Sequence, residues 1–137
     1  MDTIKPRLII NTVFLAILSC FIFSCKKDSS GQQPAAFKSS QKDMLTFEFY
    51  KADNSNLPTD YNTSFTGTNI TATLPSNINF NGLKAAFTAS EKANITVNGQ
   101  LQTSQVTAND FRQPVVYTVK AEDGSTKNYT VSVSLLN

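Results

Sequence analysis

The chain of 137 residues contains no histidine and no tryptophan, and its two cysteines, Cys20 and Cys25, both lie in one apolar run near the N-terminus. Without histidine, a Ser-His-Asp or Cys-His nucleophile has no base, and zinc sites lose their commonest ligand. Two cysteines in such a run do not make a disulfide framework. Charge is scarce as well: 12 Lys and Arg stand against 10 Asp and Glu, for a net charge of +2. A nucleic-acid partner, which needs a basic face, is therefore not expected. What the sequence does have is Ser, Thr and Asn, which make up about a third of the residues after Cys25. Aromatic and β-branched residues are numerous enough beside them for one modest core, so the composition is not that of a disordered chain.

The N-terminus reads as a targeting segment. Lys5 and Arg7 precede an apolar stretch from Leu8 to Phe23, the basic-then-apolar order of a secretory signal. The stretch ends in Ile22-Phe23-Ser24-Cys25 and turns polar at Lys26-Lys27-Asp28. It resembles the lipobox of bacterial lipoproteins, with a branched apolar residue three before the cysteine and a small residue immediately before it. That resemblance implies a lipid on the Cys25 thiol. Ile17-Leu18-Ser19-Cys20 also fits, but would leave Phe21-Ile22-Phe23 at the mature terminus, so Cys25 is preferred. Residues 1–24 are then a signal peptide and 25–42 a lipidated, flexible tether of Lys, Ser, Gln, Gly, Pro and Ala. Two or more acyl chains hold a protein on a membrane where a single one binds only marginally. Lys26 after the cysteine resembles lipoproteins passed to the outer membrane.

From residue 43 to 137 the apolar period is two. Leu45, Phe47 and Phe49 alternate with Thr46 and Glu48; Ile70, Ala72 and Leu74 with Thr71 and Thr73; Ala93, Ile95 and Val97 with Asn94 and Thr96. Ala85, Phe87 and Ala89 repeat the pattern. These are half-buried strands, separated by Gly67, Pro75, Asn81-Gly82, Asn98-Gly99 and Asp123-Gly124. No segment carries a helical stripe. The expected fold is all-β: an Ig-like antiparallel β-sandwich of about seven strands.

The last hairpin can be given a register. Val115, Tyr117, Val119 and Ala121 share one face of its first strand, and Tyr129, Val131, Val133 and Leu135 one face of its second. Only an odd loop brings both apolar sets to the same side. A three-residue loop, Glu122-Asp123-Gly124, with Gly124 in the left-handed position, meets that condition and sets Tyr117 opposite Tyr129.

The segment Tyr117-Thr-Val119-Lys-Ala121-Glu-Asp-Gly124-Ser-Thr-Lys-Asn-Tyr129-Thr-Val131, with the opening Leu45-Thr-Phe47-Glu-Phe49 and the later Leu83-x-Ala85-x-Phe87, resembles an Ig-like, cadherin-like β-sandwich module. That module occurs in Gram-negative outer-membrane surface lipoproteins associated with polysaccharide uptake. The resemblance covers about residues 44–135, and the residues that carry it are structural, so it implies a fold and a setting rather than an activity.

Candidate sites are few. The carboxylates are scattered, Glu122-Asp123 reads as a turn, and no enzyme is expected. Asp53, Asn54, Asn56 and Asp60 carry oxygens that suit calcium, but the spacing is not that of an EF-hand and Asx turns use the same residues. No metal or cofactor is expected. Sugars stack on exposed rings, and Tyr50 and Tyr61, which flank the Asn-rich loop, are the remaining tyrosine candidates for ligand contact. The expectation is a non-catalytic, lipid-anchored envelope module that binds or presents polysaccharide for an outer-membrane uptake system. The alternative is a structural module that docks an envelope protein without touching sugar.

Overall fold

The computed structural model describes residues 36–136. The signal peptide, Cys20, Cys25 and most of the tether lie outside the described residues. Eleven strands follow one another: β1 (Met44–Phe49), β2 (Tyr61–Asn62), β3 (Ser64–Thr66), β4 (Asn69–Pro75), β5 (Asn81–Lys84), β6 (Ala86–Ala89), β7 (Asn94–Val97), β8 (Gln100–Leu101), β9 (Ala108–Asp110), β10 (Val115–Lys120) and β11 (Thr126–Leu136). They form a three-stranded sheet in the order β2-β1-β6, a six-stranded sheet in the order β3-β4-β11-β10-β7-β8, and a β5-β9 pair.

The fold is the expected β-sandwich, with two differences from the expected description. The strands number eleven rather than about seven, because bends cut the chain into shorter pieces. Ala85 alone parts β5 from β6, and Thr63 parts β2 from β3. The sandwich is also not wholly antiparallel, since β11 runs parallel to β4 from Thr130↔Asn69 to Leu136↔Pro75.

Alternation along the strands builds the core. Ile70, Ala72 and Leu74 are buried on β4, Ile95 and Val97 on β7, Tyr117 and Val119 on β10, and Tyr129 and Val131 on β11. Phe47 sits at the centre of an aromatic cluster. Its ring centroid lies 5.1 Å from Tyr117, 5.7 Å from Phe49, 6.2 Å from Phe87 and 6.5 Å from Phe111. The Phe87 pair is stacked and the other three are edge-to-face, arrangements that contribute beyond their buried area. The one polar atom Tyr117 carries into the core is satisfied, because Asn109 Nδ2 donates to its hydroxyl at 3.0 Å and to Gln102 Oε1 at 2.8 Å.

The final hairpin has the expected register, with Tyr117 opposite Tyr129 and Val115 opposite Val131. Its loop closes through Ala121 N–H to Ser125 O and Gly124 N–H to Ala121 O, and Gly124 takes φ +90°. The β7–β8 hairpin turns on Asn98 (φ +49°) and Gly99 (φ +78°), the left-handed pair that a two-residue loop requires.

Two residues expected in the core are outside it. A register shift between Met44 and Thr46 inserts a bulge into β1, so Met44 and Phe47 are buried and Leu45 is 60% exposed. Leu135 is 51% exposed, because β10 stops pairing at Val131 and leaves the last residues of β11 with β4 as their neighbour. Near the other terminus, Ser39 and Lys42, assigned to the tether, already touch the sandwich. Ser39 N–H donates to Glu122 Oε2 at 2.9 Å, and Lys42 Nζ to Ser125 Oγ at 3.0 Å. The chain therefore enters the sandwich beside the β10–β11 turn. The loop following β1 lies at the opposite end of that strand.

Candidate functional site

Strand parity decides which side chains share a surface. Phe49 pairs with Tyr61 across β1 and β2, and Phe49 is fully buried, so Tyr61 faces inward and packs part-buried against the core. Tyr50 follows Phe49 and turns the other way. Its hydroxyl donates to Glu48 Oε2, which fixes the ring on the outer face of the three-stranded sheet. The two tyrosines taken as ligand candidates are thus not brought together: one props the inner layer and the other stands outside.

The structure gathers other groups around Tyr50. Glu48 pairs with Asn62 on one side and Ala86 on the other, and Thr46 pairs with Thr88. The hydroxyls of Thr46 and Thr88 are 2.8 Å apart and share a hydrogen bond. One outer face therefore presents a ring, a carboxylate, an amide and two hydroxyls. Sugar recognition uses such groups, with C–H bonds over the ring and hydroxyls donating to a carboxylate or amide oxygen. Sequence reasoning missed Glu48, Asn62, Thr46 and Thr88. The signal for Glu48 was present, since it lies two residues before Tyr50 and so on the same face of an extended chain. Asn62 and Thr88 are joined to that face only by pairing between distant strands.

The loop that follows holds Tyr50 in place. Asp53 N–H and Asn54 N–H donate to Tyr50 O at 3.2 and 3.1 Å. Asn54 is 5% exposed, and its amide donates at 2.9 Å both to Tyr50 O and to Lys84 O, while its oxygen accepts Lys84 N–H at 2.8 Å. Asp60 Oδ1 accepts Lys51 N–H at 2.8 Å. The oxygens weighed for calcium are thus spent, at Asn54 and Asp60, on tying the loop to β5 and to itself. Among the described residues no three His, Cys, Asp or Glu side chains gather as a metal cluster. The hydrogen bond to Glu48, followed by burial and by the charges of Glu48, Asp60 and Asp53, raises the Tyr50 pKa above that of an ordinary tyrosine. The ring therefore keeps its hydroxyl proton at any neutral pH.

A concavity lies elsewhere, where the β6 edge of one sheet meets the β7–β8 edge of the other. Phe87, Ala89, Ala93, Asn94, Ile95, Leu101 and Gln102 line a shallow pocket of about 240 Å³. Leu101 at its rim is 64% exposed. Nothing in the sequence pointed to this pocket, because β8 has only two residues and no alternation to read.

The described residues form a small β-sandwich module with the Tyr50 face and the shallow pocket beside Leu101 as its candidate contact surfaces. The chain belongs to the SGBP, N-terminal family, whose model matches residues 45–133, and this associates the module with glycan uptake. No curated protein matches the chain. Among solved structures, a candidate glycoside hydrolase from Bacteroides thetaiotaomicron is 26% identical over 72% of this chain, with a TM-score of 0.52. The chain spans about a quarter of that relative's length, 26% of it. A candidate secreted protein from Bacteroides fragilis is 16% identical over 71% of this chain and 97% of its own, with a TM-score of 0.49.

Proposed function

We propose that the protein is a non-catalytic, lipid-anchored module of the outer membrane that binds or presents polysaccharide for an uptake system, with the Tyr50 face as its sugar contact. The family match over residues 45–133 is the observation that carries this reading. The architecture supports it. The chain enters beside the β10–β11 turn, and β1 then runs six residues, roughly 20 Å, to the loop that fixes Tyr50. The candidate contact is thus set at the far end of β1 from the point where Ser39 meets the sandwich.

The reading as a non-catalytic module draws on three carboxylates that are engaged in holding the fold. Glu122 accepts the Ser39 N–H, Asp123 accepts the Ser125 hydroxyl, and Asp110 is held by Arg112. The activity named for the Bacteroides thetaiotaomicron relative is proposed for no residue of this chain, which matches only part of that protein.

The alternative, docking of an envelope protein without sugar contact, draws on the pocket beside Leu101. Affinity electrophoresis of the full-length protein against a panel of polysaccharides separates the two. Retention by at least one polymer, lost in Tyr50→Ala and kept in Leu101→Ala, is the expected result. Retention unchanged by Tyr50→Ala would remove the site, and retention by none would favour the protein partner. The anchor is tested separately: labelled palmitate should enter the wild type and be lost in Cys25→Ser, whereas loss only in Cys20→Ser would move the lipid.

A further inference from the structure

We infer that the Tyr50 face selects neutral polysaccharides and turns acidic ones away. This rests on the reading of that face as a sugar contact, and it adds the class of sugar.

Three carboxylates surround the Tyr50 ring and its loop: Glu48, Asp53 and Asp60. The ion pairs among the described residues are Lys92 with Glu122, Arg112 with Asp110, and Lys127 with Asp43. None of them neutralises a carboxylate near Tyr50. Glu48 accepts the Tyr50 hydroxyl through Oε2, and no other hydrogen bond to its carboxylate is formed among the described residues. Asp60 accepts a backbone N–H, which carries no formal charge. Asp53 Oδ2 is shut away from solvent without a hydrogen-bond partner. The charges of all three act on the Tyr50 hydroxyl in the same direction. A ligand on the ring therefore meets a negative field with no paired cation to cancel it.

That field sorts polysaccharides by charge. A neutral pyranose offers hydroxyl donors, and the uncommitted oxygen of Glu48 is an acceptor for them, a charge-assisted bond stronger than one between neutral groups. The Asn62 amide and the Thr46 and Thr88 hydroxyls add donors and acceptors of no charge. A uronate or sulfate brings a second anion next to Glu48, and like charges placed together in an interface suppress the wrong partner. Glu48 is half-buried and Asp60 exposed, so the repulsion on an incoming anion passes through solvent and salt screens it beyond about 10 Å at 0.1 M. Two lysines lie at the same loop, Lys51 beside Tyr50 and Lys84 bonded to Asn54 through its backbone. Neither is among the ion pairs of the described residues, and the charges that act on the Tyr50 hydroxyl are those of the three carboxylates.

The test is affinity electrophoresis of the full-length protein in detergent against neutral polymers (a glucan, a mannan and a xylan) and acidic ones (polygalacturonate, alginate and chondroitin sulfate), at low and moderate salt. Retention by at least one neutral polymer, with acidic polymers at least tenfold weaker at low salt and less disfavoured at moderate salt, is the expected result. Glu48→Lys should narrow or reverse the preference. Should that variant not fold, the salt series on the wild type still decides. Acidic polymers retained as strongly as neutral ones, or retained best at low salt, would overturn the charge selection and leave the sugar contact standing. Retention by no polymer would overturn the sugar contact itself, and this inference with it.

Discussion

Tyr50 and Tyr61 lie on opposite faces of the same three-stranded sheet, Tyr61 beside the buried Phe49 and Tyr50 bonded to the outward Glu48. Substitutions at the two should therefore separate. Tyr61→Ala removes a part-buried ring from the core margin and should cost about 1–3 kcal/mol of stability, with glycan retention intact where the protein is folded. Tyr50→Ala should abolish retention and change the urea midpoint little. The reverse pattern would place the contact on the wrong ring.

Asn54 joins two distant backbones, Tyr50 and Lys84, through a side chain almost wholly enclosed. Asn54→Ala takes the side-chain partner from the Lys84 N–H and C=O and should destabilise by about 2–3 kcal/mol. It should also weaken glycan retention, since the Tyr50 loop keeps its own N–H bonds to the Tyr50 carbonyl but loses its tie to β5. Asn54→Asp keeps the acceptor for Lys84 N–H but loses both donated bonds, and should restore little. Thermal melts of the two variants beside wild type measure this.

Phe47→Ala is expected to be the most damaging single truncation. The ring touches Phe49, Phe87, Phe111 and Tyr117, and its loss should cost about 3–5 kcal/mol. In a domain whose whole stability is on the order of 5–15 kcal/mol, that shifts the urea midpoint severely.

Much of this core was legible in the sequence, and the reason is local. Period-two alternation and turn residues act over a few positions, so Ile70, Ile95, Tyr117 and Val131 were placed inside and the Tyr117–Tyr129 register followed from parity alone. Leu45 and Leu135 misled because a bulge and a lost neighbour are properties of pairing, not of the strand. The Tyr50 face was half legible. Parity joins Glu48 to Tyr50, but Asn62 and Thr88 reach the face through partners 14 or more positions away. Tyr61 was grouped with Tyr50 because both flank one loop, and only the β1–β2 register shows that they diverge.

Stability should fall in acid and be level through neutral pH. Asp43 is held below its ordinary pKa of 3.8 by the hydrogen bond from Lys127, Asp110 below 3.8 by Arg112, Glu122 below 4.5 by the Ser39 N–H, and Asp123 below 3.8 by the Ser125 hydroxyl. For a carboxyl lowered on folding, the unfolded chain takes up its proton first as pH drops. The stabilisation is therefore full above the ordinary values and disappears as pH falls through the lowered ones. With no histidine in the chain, no side chain of the described residues has an ordinary pKa near 7. Urea midpoints across the acid range should show this slope, and Asp43→Asn should make it shallower. A transition near pH 6 would contradict it.

At the alkaline end the sign reverses. Burial raises the Tyr117 pKa well above 10, so its contribution is full below 10 and is lost as pH climbs through the raised value. Tyrosinate absorbance in Tyr117→Phe should lack the last ionisation step seen in wild type.

The central claim, that polysaccharide meets this sandwich on the outer face around Tyr50, is tested most directly by chemical-shift mapping. The labelled protein would be titrated with oligosaccharides of a polymer that retains it. Shifts confined to Thr46, Glu48, Tyr50, Asn62 and Thr88 are predicted. Shifts gathered instead at Phe87, Leu101 and Gln102, or absent altogether, would contradict the account.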